Sequence, residues 1–129
     1  MPSRSNPYLL EKGRCRQMDC LFCKIAAGEI PSNKVYEDDK VLAFYDIDPQ
    51  APVHFLVIPK EHIGSMDEIN SSNSGIVAHV YEVIAKIAKD LELTNGYRVV
   101  CNCGQDGGQT VGHLHFHVLA KRNLAWPPG

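Results

Sequence analysis

The sequence has no long apolar run, no excess of one charge, and no internal repeat or low-complexity stretch. A membrane span takes about 20 apolar residues, and no segment approaches that, so no membrane partner is expected. Thirteen Lys and Arg against fifteen Asp and Glu leave a net charge of −2. That is too near neutral for a chain that coats nucleic acid, and no nucleic-acid partner is expected. The first residues are basic but carry no apolar h-region, so no signal peptide is expected and a cytoplasmic location is. Cysteine is odd in number, five: Cys15, Cys20, Cys23, Cys101 and Cys103. Without a secretion signal this argues against a disulfide framework. What remains is an ordinary globular mix, 44% hydrophobic and 22% charged over 129 residues, which suits one domain with one core.

Residues 1–18 are polar and basic, broken by Pro2, Pro7 and Gly13, and read as a flexible N-terminal extension. Residues 19–129 read as the folded domain. Asp19 is positioned to cap a short helix through Cys20 to Ala27, stopped by Gly28. Strands are expected over 34–37, 41–46, 53–58 and 97–102, with Asp38-Asp39 as a hairpin turn. Ile76, Val80, Ile84, Ile87 and Leu91 recur at helical spacing and define one long helix, with Ser72, Asn73 or Ser74 to cap it. The pattern gives an α+β domain with about five strands, one long helix and one or two short ones. Short connections favour an antiparallel sheet.

The chemistry concentrates near the C-terminus. Three of the six histidines, His113, His115 and His117, alternate with Leu114, Phe116 and Val118. Period-two alternation reads as a strand with an imidazole face and an apolar face. A glycine-rich turn, Gly104 to Gly112, precedes it; such a turn can aim backbone N–H groups at a phosphate. No Gly-Lys-Ser/Thr follows, so it is not a P-loop. His115, the middle residue, is best placed as a nucleophile toward phosphorus, with its neighbours, Asn102 and Thr110 as support. From this pattern alone a metal shared by the histidines is an equal alternative. No carboxylate base stands near the triad in sequence.

The run His113-Leu114-His115-Phe116-His117-Val118-Leu119 resembles the signature of the histidine triad (HIT) superfamily. Cys20 to Ile25, Phe44 to Ile47, Pro49 to Lys60, Asp106 to Thr110 and the ending Trp126-Pro127-Pro128-Gly129 are similar to its Hint branch, the histidine triad nucleotide-binding proteins. The resemblance implies a HIT-like fold whose antiparallel sheet joins that of a second copy in a homodimer. It implies a purine nucleotide-binding hydrolase that cleaves the P–N bond of nucleoside 5′-phosphoramidates through a nucleotidyl-histidine intermediate. His115 is then the nucleophile, with its tautomer fixed by the carbonyl of His113. His117, Asn102, Gly108 and Thr110 contact phosphate, and His54 supports the triad. Asp46 binds the ribose hydroxyls. Leu21, Phe22, Ile25, Phe44 and Ile47 form the slot for the base, and Trp126 reaches toward the partner subunit. Thr110 stands where relatives often carry serine. Histidine rather than glutamine at the third triad position disfavours the transferase and dinucleoside polyphosphate branches.

Cys20-X-X-Cys23 has metal-ligand spacing. The resemblance pairs these cysteines with His62 and His113 around a structural zinc that catalysis does not require. Two other readings stand beside the hydrolase. One is a nucleotide- or zinc-binding regulatory module with little catalysis. The other is a zinc hydrolase with the metal on the triad.

Overall fold

The computed structural model describes residues 19–129; the expected N-terminal extension lies outside them. Five strands form one antiparallel sheet: β1 (Lys34–Glu37), β2 (Val41–Tyr45), β3 (Val53–Pro59), β4 (Tyr97–Val100) and β5 (Phe116–Ala120), in the spatial order β1-β2-β3-β5-β4. The β1–β2 turn falls at Asp38 as expected. Its Oδ1 accepts from the N–H groups of Lys40 and Val41, at 2.8 and 2.9 Å, the local bonding that makes aspartate a turn residue.

The long helix α2 (Gly75–Asp90) buries Val80, Val83, Ile84, Ile87 and Ala88. Val80 to Ile87 close over Val41, Ala43, Phe55, Val57, Phe116 and Val118 on one face of the sheet. The other face is served by α1 (Leu21–Ala26), only six residues long. Phe22 and Ile25 pack on Leu42, Phe44, Leu56 and Ile58. Central β3 is apolar except for His54, because it is buried from both sides. On the α1 face the Phe22 ring also stands edge-on to His113 and His115, so these histidines border its apolar packing.

Three local expectations are corrected. The cap of α1 is Cys20, not Asp19: Cys20 Sγ accepts from the Cys23 N–H at 3.3 Å, while Asp19 lies one residue too early. The glycine-rich turn holds a single helical turn, α3 (Gly104–Gly107), bounded by left-handed Gly104 (φ +72°) and Gly108 (φ +80°). The final strand begins at Phe116, so of the triad only His117 lies in it. The ladder to β3 ends at the pair Val57 and Phe116. Upstream the chain buckles, with His113 N–H bonded to Val111 O and Leu114 N–H to Ile63 O, at 2.9 and 2.6 Å.

Candidate functional site

Strand register puts Phe44, Leu56, His117 and Val100 in one row across the sheet. His54, two residues before Leu56, points to the same face. Its Nε2 lies 2.9 Å from His117 Nδ1 and 3.5 Å from Asp46 Oδ2. Asp46 is held at this spot through its own N–H, bonded to His54 O, and through Oδ1, which accepts from the Asp48 N–H. A carboxylate therefore does stand beside the histidines, which the linear sequence concealed.

The hydrogen bonds fix which nitrogen of each neutral ring carries the proton, because some partners can only donate or only accept. The Gln50 N–H donates to His54 Nδ1 at 3.0 Å, so His54 carries its proton on Nε2. That proton goes to His117 Nδ1, which leaves the His117 proton on Nε2. His115 Nδ1–H donates to the carbonyl of His113 at 2.6 Å, which leaves Nε2 with its lone pair. The His115 residue is 5% exposed. Its Nε2 makes no hydrogen bond among the described residues, and no buried side-chain nitrogen or oxygen there is without a partner. Solvent therefore reaches this nitrogen. The Phe22 ring stands edge-on to His115 at 5.0 Å between centroids, and the His117 ring at the same distance.

His113 is oriented the opposite way. Its Nε2–H donates to Pro59 O at 2.8 Å, leaving the Nδ1 lone pair toward Cys20 Sγ at 3.3 Å and Cys23 Sγ at 3.6 Å. His62 Nδ1 lies 3.1 Å from Cys23 Sγ. These four side chains converge closely enough to hold a metal ion. A ring N–H fixed by a backbone carbonyl is the usual outer support of a ligating histidine, so His113 fits the role. Cys23 is disulfide-bonded in this structure, so its sulfur has to be reduced before it can ligate. Asp46, His54 and His117 also lie close together. They fit a metal less well, because a metal on His54 Nε2 would force its proton onto Nδ1, against the Gln50 N–H.

Burial first, then the neighbouring His115 and His54, pushes the His117 imidazole down to about 4. Burial lowers His54 as well, partly opposed by Asp46 and Asp48. Burial also pushes His113 down to about 4, against the opposing bond to Pro59. His54, His113 and His117 are therefore neutral near pH 7.

The other expected residues are more scattered. Phe22, Ile25 and Phe44 share one apolar cluster. Ile47 projects wholly into solvent, and Leu21 is half exposed. Leu21 borders a cleft of about 350 Å³ together with Cys20, His62 and Thr110. No hydrogen bond or ring contact among the described residues joins Asn102, Gly108, Thr110 or Trp126 to the triad, and Trp126 is 80% exposed. Among the loop N–H groups, those of Thr110, Val111 and Gly112 have no acceptor within the described residues. Gln109, which the sequence did not single out, shapes this loop. Its Oε1 accepts from Gly104 N–H, and its Nε2 donates to the carbonyls of Gly64 and Val111 at 2.8 and 3.0 Å.

Residues 27–124 match the family model of the HIT domain. An uncharacterized HIT-like protein of Synechococcus elongatus is 51% identical over 86% of this chain and 97% of its own length. The structure of a histidine triad protein from Clostridium difficile superposes with a TM-score of 0.84 at 56% identity, covering 85% of this chain and 96% of that one. A HIT family hydrolase from Legionella pneumophila gives a TM-score of 0.84 at 48% identity, covering 86% and 100%.

Proposed function

The chain belongs to the HIT domain family, and from that premise we propose that it is a purine nucleotide-binding hydrolase of nucleoside 5′-phosphoramidates, working through a nucleotidyl-histidine intermediate. One observation carries the reading. His115 Nδ1–H is committed to the His113 carbonyl, so the unprotonated Nε2 faces outward beside His117, whose own Nε2 carries a proton.

The two rings divide the work. The lone pair of His115 Nε2 attacks the α-phosphorus. The P–N bond to the amine breaks, and the amine leaves with the proton of His117 Nε2; the negative charge this leaves on His117 is offset by the positive charge of the adjacent phosphorylated His115 until water is consumed. Water then attacks the same phosphorus and returns a proton to His117, and the bond from phosphorus to His115 breaks. The N–H groups of Thr110 to Gly112 receive phosphate oxygens. Asp46 accepts from both ribose hydroxyls, and the base rests on the apolar group of Phe22, Ile25 and Phe44, with Ile47 and Leu21 at its margins. Asn102, Gly108 and the Thr110 hydroxyl complete the phosphate site, and Trp126 serves the partner subunit. Rapid quench with adenosine 5′-phosphoramidate tests the mechanism. The native protein accumulates a covalent nucleotidyl adduct, and His115→Ala forms none while still binding nucleotide. An unchanged rate in that variant refutes the assignment.

Zinc is the metal we propose for Cys20, Cys23, His62 and His113, since mixed sulfur and imidazole donors suit it. Its role is structural. After reduction, purified protein should carry one zinc per chain, and a chelator should lower stability without abolishing turnover. A second copy is proposed to pair along β4, an open edge of the sheet that offers unpaired backbone groups. Residues 19–129 form the domain and 1–18 an extension of it. No described helix is long and apolar enough to cross a membrane, and we place the protein in the cytoplasm.

A further inference from the structure

The C-terminal segment after β5 reaches back to the loop before β3. The Arg122 Nε–H donates to the carbonyl of Gln50 at 2.9 Å, across 72 positions of sequence. Gln50 is the residue whose N–H meets His54 Nδ1 at 3.0 Å, and His54 in turn meets His117 at 2.9 Å. Three successive hydrogen bonds thus run from an exposed arginine to the ring that supplies the proton.

A pair of neutral imidazoles joined nitrogen to nitrogen has two proton arrangements. In one, His54 Nε2–H donates to His117 Nδ1, and His117 presents Nε2–H outward. In the other, His117 Nδ1–H donates to His54 Nε2, and His117 presents a bare lone pair. The hydrogen bond between the rings is the same length either way and does not choose. The choice is made at the far side of His54. There the Gln50 N–H finds a lone pair in the first arrangement and a second hydrogen in the second. Asp46 Oδ2, 3.5 Å from His54 Nε2, favours the same arrangement, because a carboxylate accepts but cannot donate. The Gln50 peptide lies in an irregular loop, so its aim depends on what holds it. Its side chain turns back only to the Asp48 carbonyl, within the same loop. Arg122 is the one described side chain from a distant part of the fold that bonds to the Gln50 backbone.

We infer that Arg122 is a positioning residue: by anchoring Gln50 it selects the His54 tautomer and thereby keeps a proton on the outward nitrogen of His117. The inference rests on the proposed role of His117 as proton donor, and the test separates the two.

The experiment uses the full chain, labelled with ¹⁵N at histidine, near pH 7. Long-range proton–nitrogen correlations report which nitrogen of His54 and His117 is protonated, without reference to any substrate. The native protein should show both rings protonated on Nε2. In Arg122→Ala, with Arg122→Gln as a second variant should the first fold poorly, the His54 Nδ1 signal should move toward the protonated form. The rate constant for phosphoramidate turnover should fall about tenfold, a partial loss of what a general acid contributes, with KM within about twofold. Arg122→Lys, which keeps a donor, should restore both signals and rate. Native tautomers in Arg122→Ala, or both rings already protonated on Nδ1 in the native protein, would overturn the inference. Altered tautomers with an unchanged rate would leave the positioning intact and remove His117 from the proton-donating role. Absence of any turnover in the native protein would count against the hydrolase reading alone.

Discussion

Main-chain groups place the proton on three of the histidines: the Pro59 carbonyl for His113, the His113 carbonyl for His115 and the Gln50 N–H for His54. Side chains thus supply the chemistry here and the backbone supplies its polarity. The residue types and their spacing were legible in the sequence, since three alternating histidines have no folding rationale. The tautomers were not, because a carbonyl looks the same in every residue and its direction is a property of the fold. His117→Gln should separate binding from chemistry. The amide still hydrogen-bonds to phosphate but gives up no proton, so turnover should fall by about 10²–10⁴-fold while nucleotide affinity changes little. Equilibrium binding of a purine mononucleotide beside steady-state rates checks this, and equal losses in both would exclude the donor role. Asp46→Asn should weaken nucleotide binding by about 1–3 kcal/mol, the range for hydrogen bonds to a charged group. The loss should vanish for a 2′,3′-dideoxy analogue; an equal loss there would show that Asp46 acts through His54 rather than on the ribose.

The β1–β2 hairpin is tied to α2 through one carboxylate. Asp38 turns the hairpin with Oδ1, and with Oδ2 it takes His79 Nε2 at 2.7 Å and the Tyr36 hydroxyl at 2.9 Å. Burial alone would raise its pKa, but these bonds outweigh it and hold the carboxyl at about 2. Asp38→Ala removes the turn and the link to the helix together, and should cost about 1–3 kcal/mol by urea unfolding. His79→Ala should cost less, because the turn survives; a larger loss from His79 would mean that the helix link dominates. The elements themselves were readable where periodicity is strong. The face of α2 was legible because a helix on a sheet repeats its contacts every turn. The stretch 111–115 was not, since alternation continues in sequence after the pairing that makes a strand has ended. The position of Gln109 depends on the Gly64 carbonyl, 45 positions away, and no local pattern announces it.

At the scale of the molecule, a sheet fully covered on one face and partly on the other places neutral imidazoles against an apolar layer, and this links the site to stability. Folding holds His54 and His117 below the ordinary histidine value of 6.5, His117 at about 4. Above pH 6.5 both rings are neutral folded or unfolded, and the folded state bears no penalty. As pH falls below 6.5 the unfolded chain takes up protons that the folded chain refuses until it reaches the lower values. Stability is therefore lost between about pH 6.5 and 4. Asp38 acts in a separate window: its depressed carboxyl contributes stability that is complete above 3.8 and disappears only as pH falls toward about 2. Urea midpoints measured across pH 7.5 to 4.5 should thus fall before any loss at Asp38 begins, with the steepest fall below 6.5. The double variant His54→Asn with His117→Asn should follow a flatter curve, because asparagine has no proton to gain, and the difference between the curves isolates the pair from His62 and His113. Parallel curves for the two proteins would mean that the pair is as easily protonated folded as unfolded. The outward nitrogen of His117 would then be part of a cation under mildly acidic conditions, not the neutral donor that the site geometry requires.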